Sequence, residues 1–170
     1  NGSATVKSAT AEIVTIPDFI TTDSGNKYVV NAIATGAFKG NKTVKEIRVL
    51  SDYITKIPEN FVNNTYSNGS LEKVFINFSN ITSIGASAFS NCTALASVTL
   101  PSALVTIERY AFENCMSLKT LTFPAKLETI SEYAFRGCKN LTSIKLSNKV
   151  KTIGYEAFSG CEKLTSLDIG

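Results

Sequence analysis

The 170 residues carry 17 Lys and Arg against 14 Asp and Glu, a net charge of +3; 44% are hydrophobic and 18% charged, apolar enough to fold and too sparingly charged for disorder. The basic residues are scattered, which argues against a nucleic-acid surface, and no stretch approaches the roughly 18 apolar residues of a membrane span. Histidine and tryptophan are absent and the four cysteines lack CxxC or C-x-x-H spacing, so the commonest general base and metal ligand are missing, and no metal or other cofactor is expected.

Asn1 to Thr10 lacks the basic start and apolar centre of a signal peptide, so the chain is expected to be a mature or excised piece. Residues 1–32 read as an N-terminal cap, a degenerate first coil. Val14-Thr15-Ile16-Pro17 matches Val98-Thr99-Leu100-Pro101 in type and order. Ile20-Thr21-Thr22 and Lys27-Tyr28-Val29-Val30 flank Asp23-Ser24-Gly25-Asn26, which predicts a hairpin with a glycine-containing turn.

From residue 33 to 170 the sequence repeats. Phenylalanines fall at Phe38, Phe61, Phe89, Phe112, Phe135 and Phe158, 23 residues apart except for an interval of 28 between Phe61 and Phe89. Most of the excess lies in the polar run Asn64 to Ser70. An Ile stands five residues before the Phe at Ile33, Ile84, Ile107, Ile130 and Ile153, and four before it at Ile57. Ala37, Ala88, Ala111, Ala134 and Ala157 immediately precede it. Three residues after it come Asn41 and Asn64, then Cys92, Cys115, Cys138 and Cys161.

An L-x-x-L-x-L core closes each unit, as in Leu95/Val98/Leu100, Leu118/Leu121/Phe123 and Leu141/Ile144/Leu146. Its period of two predicts a short strand with one buried face. One unit cannot bury that face alone, so stacked units are predicted to form a parallel sheet over a continuous apolar interior. Val105-Thr106-Ile107 and Lys151-Thr152-Ile153 predict a brief second strand, followed by a turn or one helical turn through the Ala-Phe segment. The fold class expected is a mainly β solenoid, a right-handed coil of six repeats with an N-terminal capping hairpin.

Ile84-Gly85, Ala88-Phe89, Cys92, Leu95, Val98, Leu100-Pro101, Leu104 and Ile107 together resemble the unit of the BspA-like, Treponema-type leucine-rich repeats. The first two units depart by lacking the Cys, and Glu108 and Ser131 stand where Gly85 and Gly154 do. The resemblance implies a secreted or cell-surface protein of a bacterium or protozoan, associated with adhesion to host proteins or other cells.

Several positions are candidates for function. The Cys ladder reads either as disulfides or as buried free thiols; aligned side chains point the same way, which favours thiols. Arg48, Phe75, Thr99, Thr122, Lys145 and Asp168 face outward between the two apolar residues of each strand. Glu46, Lys73, Ser97, Thr120, Ser143 and Ser166 lie two positions earlier on the same face. This makes a Ser- and Thr-rich strip with charges at both ends, and Arg48, Lys73, Phe75, Thr99, Thr122 and Lys145 are the candidate ligand-binding residues. Phe75 stands out as an outward aromatic, although packing beneath the Thr65–Ser70 loop would account for it equally. The loop is a second candidate. N-x-S/T sequons occur at eight asparagines, Asn63 and Asn80 among them, in a chain rich enough in Asn, Ser and Thr to produce several by chance. No nucleophile has a base partner and the acidic residues show no repeated pairing, so no catalytic residue is assigned.

These features predict an extracellular binding module for a protein or glycan ligand on a host or neighbouring cell. The alternative is a structural spacer in a larger surface protein.

Overall fold

The computed structural model describes residues 2–6, 11–64, 69–76 and 80–170. In chain order the strands are β1 (Gly2–Val6), β2 (Ile13–Ile16), β3 (Phe19–Thr21), β4 (Lys27–Ile33), β5 (Glu46–Val49), β6 (Lys56–Ile57) and β7 (Lys73–Ile76), then β8 (Ser83–Ile84), β9 (Ser97–Thr99), β10 (Thr106–Ile107), β11 (Thr129–Ile130), β12 (Ser143–Leu146), β13 (Thr152–Ile153) and β14 (Ser166–Ile169). Among the described residues there is no helix, so the Ala-Phe segment is a turn.

The chain is a β-solenoid whose coils bond to one another along three faces. On the first, β2, β5, β7 and β9 pair in that order, and β12 pairs with β14. On the second, β6, β8, β10, β11 and β13 form one sheet in which Ile57, Ile84, Ile107, Ile130 and Ile153 stand directly side by side. All of these pairings are parallel, because every rung runs in the same direction as its neighbour. On the third, the amides of Phe89, Phe112 and Phe135 donate to the carbonyls of Ala111, Ala134 and Ala157 in the following coil, each at 2.8 Å. Main-chain groups that a short turn would otherwise leave unpaired are thus satisfied by the next coil.

The turns themselves use left-handed residues, two per coil except in the second, where Asn60 alone takes that region among the described residues. In the fourth and fifth coils these are Tyr110 and Asn114 (φ 58° and 56°), then Tyr133 and Gly137 (φ 59° and 71°). Asn and Gly tolerate this region readily, whereas Tyr does so rarely.

At the N-terminal end β3 pairs antiparallel with β4, and Gly25 takes the turn at φ 80°. This is the predicted hairpin. β1 adds a parallel strand to the other edge of β4, a partner that nothing in its sequence pattern announced.

The phenylalanines form one column through the interior. Phe38, Phe61, Phe89, Phe112 and Phe135 are fully buried and Phe158 is half-buried. Successive ring centroids lie 5.2, 5.8, 5.2, 5.1 and 5.4 Å apart. The first two junctions are edge-on and the last three stacked. Both geometries are favourable for aromatic pairs. The change of geometry falls just after the longer interval, where the strict 23-residue repeat begins.

The four cysteines are free thiols lying beside this column. Their Sγ atoms donate to the carbonyls of Val62, Phe89, Phe112 and Phe135 at 3.3, 3.3, 3.1 and 3.3 Å. Each bond ties a coil to the one before it. Burial pushes all four thiols up: Cys92 to about 12, Cys161 to about 11, and Cys115 and Cys138 well above the ordinary range. Asn64 holds the same place one coil earlier, and its Nδ2 donates to Cys92 Sγ at 3.5 Å.

The first sheet is split where continuity was expected. Residues 121–123 form no strand, and the fourth coil meets the fifth on this face through the bridge Thr120–Ser143 and the bonds that Thr142 N and Oγ1 donate to Lys119 O at 3.1 and 3.2 Å. Proline accounts for part of the split: Pro101 follows a β9 shortened to three residues that still pairs with β7, and Pro124 removes a donor on the side that faces coil three. In the first and last coils the residue after the last strand apolar donates to the preceding coil: Leu50 N to Ile16 O at 2.8 Å, Gly170 N to Leu146 O at 3.3 Å. The corresponding residues in coils three and four are Pro101 and Pro124, which have no N–H to give. Phe123 also stands where the neighbouring coils carry Leu100 and Leu146, and its ring meets Phe135 edge-on at 5.6 Å.

Two predictions follow the column. Phe112→Ala is expected to lower unfolding free energy by about 3–5 kcal/mol, and Phe158→Ala by clearly less, both read by urea denaturation. The thiols keep their protons in the folded state where unfolded cysteines, near a pKa of about 8.5, lose them. Stability is therefore full below that pH and falls as pH rises toward the folded values of about 11 for Cys161 and about 12 for Cys92. Cys92→Ala is expected to flatten that decline in denaturation midpoints measured from pH 8 to pH 10.

Candidate binding surface

Strand alternation sends both residues of each apolar pair inward, as with Ile47 and Val49 or Val74 and Ile76, and the residue between them outward. The parallel register then places the outward residues in rows. Arg48, Phe75 and Thr99 are direct neighbours across β5, β7 and β9, and Glu46, Lys73 and Ser97 form the row beside them. Farther along, Lys145 is paired with Asp168.

Three shallow hollows lie on this face. One, of about 440 Å³, is lined by Arg48, Leu50, Phe75 and Thr99. A second, of about 380 Å³, includes Thr99, Leu100, Thr120 and Thr122. A third, of about 460 Å³, includes Thr122, Phe123, Ser143 and Lys145. Thr120 and Thr122 therefore stand between two depressions, at the break in the sheet. Of the six predicted residues, five line these hollows. Lys73 lies in the adjacent row and lines none of them.

The electrostatics are local. Arg48 Nε bonds Glu46 Oε1, and Lys145 Nζ lies 3.7 Å from Asp168 Oδ2 with its own side chain 85% exposed. A pair as exposed as Lys145–Asp168 contributes little to stability, so Lys145 remains open to a partner. Phe75 is 36% exposed, a large apolar group left at the surface of an otherwise hydroxyl-rich face.

The polar loop is described only at its margins. Residues 65–68 lie outside the described residues, and with them the expectation that the loop packs over Phe75. At the margins, Ser70 Oγ donates to Val44 O at 2.9 Å and Leu71 is buried. Asn63 is buried with Nδ2 bonded to Asn60 Oδ1 at 2.9 Å, so this sequon asparagine is part of the fold's interior. Asn80 is exposed, with Nδ2 donating to Asp52 O.

A second cluster, which the sequence reading missed, lies where the second sheet turns toward the phenylalanine column. The Tyr110 and Tyr133 rings stack at 4.9 Å and 10°, and Tyr133 meets Tyr155 edge-on at 5.6 Å. The Arg109 guanidinium sits over Tyr110 and Tyr133 at 4.8 and 5.6 Å, and that of Arg136 over Tyr133 at 5.4 Å. Arg109 Nε also pairs with Glu132 Oε2 at 3.2 Å. The available signal was a Tyr two residues before the Phe in coils four and five.

No match is found among curated proteins. Among solved structures, the chain is similar to a leucine-rich repeat protein from Bacteroides ovatus, with 33% identity and a TM-score of 0.74 over 91% of this chain and 39% of that one. It is similar to a leucine rich cell surface protein from Faecalibacterium prausnitzii, with 26% identity and a TM-score of 0.76 over 98% of this chain and 46% of that one. A T. pallidum leucine rich repeat protein shares 25% identity with a TM-score of 0.62, over 95% of this chain and 71% of that one. The chain thus spans less than half the length of the first two. The family described as BspA type leucine rich repeat region matches residues 59–170 in 6 copies. With its 23-residue coils, phenylalanine column and buried cysteine ladder, the chain belongs to the BspA-type leucine-rich-repeat family.

Proposed function

We propose that the chain is a binding module of a bacterial surface protein that takes a protein ligand on the outward face of its first sheet, without catalysis. In this reading residues 1–32 act as a cap and 33–170 as the binding solenoid of a single domain. The observation that carries it is the row Arg48–Phe75–Thr99, which forms a hollow with an aromatic centre and a charged edge. An apolar centre with Arg and an aromatic side chain, rimmed by polar groups, is the arrangement of protein interfaces. A stacked array also offers an extended surface along several coils. An extracellular setting is supported by the relative from Faecalibacterium prausnitzii, which is a cell surface protein. Adhesion to host or matrix proteins is the role proposed for such a face.

The test is a binding screen of the purified chain against extracellular-matrix proteins and whole cells. A ligand captured on this face is expected to lose at least about tenfold in affinity with Phe75→Ala, the size of loss typical of a central anchor. Lys73→Glu and Lys145→Glu are expected to slow association and change its salt dependence. Lys151→Glu, on the second sheet's side where Lys151 pairs with Glu128, is expected to leave binding unchanged. A screen without ligands, or ligands indifferent to Phe75→Ala and both charge reversals, would overturn this reading in favour of a structural spacer.

A further inference from the structure

We propose that the tyrosine–arginine corner of coils four to six is a separate site for an uncharged hexopyranose, with Tyr155 as its stacking platform and the Arg109–Glu132 pair as its hydroxyl clamp. The site is a hollow of about 350 Å³ with Tyr155 and Arg109 among its walls and the hydroxyls of Thr129, Ser131 and Thr152 lining it. Tyr155 meets Tyr133 at an interplanar angle of 85° and is 65% exposed, so the ladder holds it on one side while much of the residue stays open to solvent.

The chemistry of this set selects the ligand class. A pyranose ring presents an apolar C–H face that packs on an aromatic ring, and the amphipathic phenol suits such a half-wet position. Its neighbouring hydroxyls each need a donor and an acceptor. Arg109 supplies N–H donors fixed in one plane by stacking over two tyrosines, Glu132 supplies an acceptor at 3.2 Å from it, and Thr and Ser hydroxyls do either. The guanidinium and carboxylate neutralise each other, which disfavours sulfated or sialylated sugars. An extended peptide lying in the hollow would cross β11 and β13 where they already pair with each other, Thr129 with Thr152 and Ile130 with Ile153; the free edge of β13 faces the opposite way, away from β11.

A further observation supports a role beyond the fold. Tyr110 and Tyr133 occupy left-handed backbone positions at φ 58° and 59° where other coils place Gly36, Ser87 and Glu156. A bulky aromatic in that region is strained, and stacking of the two rings under Arg109 accounts for its being held there. The stack in turn fixes the guanidinium that forms one wall of the hollow.

The experiment is titration of the purified chain with a panel of methyl hexopyranosides and their short oligomers, followed by intrinsic tyrosine fluorescence. Tryptophan is absent and three of the six tyrosines lie in this corner, so the signal reports the site. Saturable binding with a Kd from roughly micromolar to millimolar is expected. Tyr155→Ala and Glu132→Gln should each weaken it at least about tenfold, while Tyr53→Ala, beside Phe19 at the hairpin, and Phe75→Ala should leave it unchanged. Circular dichroism melts check that Tyr155→Ala folds; Tyr155→Phe, which keeps the platform, should retain binding. No saturable response to any sugar, or binding untouched by Tyr155→Ala, would overturn the proposal. So would preference for a proline-rich peptide or a sulfated sugar. The Phe75→Ala control separates failure here from failure of the first-sheet reading.

Discussion

No coil of this chain can satisfy its own backbone. Its strands are two to four residues long in the repeats, far too short to persist alone, and their amides bond to carbonyls one repeat away. The turn amides do the same, Phe112 N to Ala134 O and Phe135 N to Ala157 O at 2.8 Å. The apolar side chains obey the same condition, since each phenylalanine from Phe61 to Phe135 is covered by the rings of the coils on either side. Even the thiols join in, each spanning to the coil before it. Inward and turn positions are consequently constrained everywhere, and outward positions almost nowhere. That division lets one scaffold carry different surfaces.

The inward half was legible because its period is rigid. The spacing of Phe89, Phe112, Phe135 and Phe158, with Ile107, Ile130 and Ile153 in step, determines the column and the second sheet. The hairpin was legible because Asp23-Ser24-Gly25-Asn26 is strong turn chemistry between extended runs. The split in the first sheet was not. Pro101 and Pro124 are plain in the sequence, but their effect depends on which N–H closes a rung between coils, and only the register shows that. β1 escaped because its partner edge on β4 lies more than twenty residues away with no shared pattern.

The candidate surfaces divide in the same way. Alternation was enough to send Arg48, Phe75 and Thr99 outward, and parallel register then made them neighbours. Lys73 is outward but stands a row away from the hollows. The tyrosine corner escaped notice because Tyr155 lies three residues before its Phe, whereas Tyr110 and Tyr133 lie two before theirs. A ladder with one member out of phase is invisible to a search for fixed spacing. Its geometry comes from the left-handed turn, which swings residues of different phase toward one corner. The two surfaces differ in character as a result. One is an open row shaped by strand register and broken by proline, and the other is a cluster shaped by turns and locked by stacking.

Native-state hydrogen exchange at the inter-coil amides tests most directly whether neighbours hold each coil closed. If they do, protection at Phe89, Phe112 and Phe135 N–H is the highest in the chain and shifts together when denaturant is added. Protection should then decline through the last coil to Thr165 and Gly170, which bond only backward, to Thr142 and Leu146. Equal protection in every coil, or amides of neighbouring coils opening independently, would contradict the account.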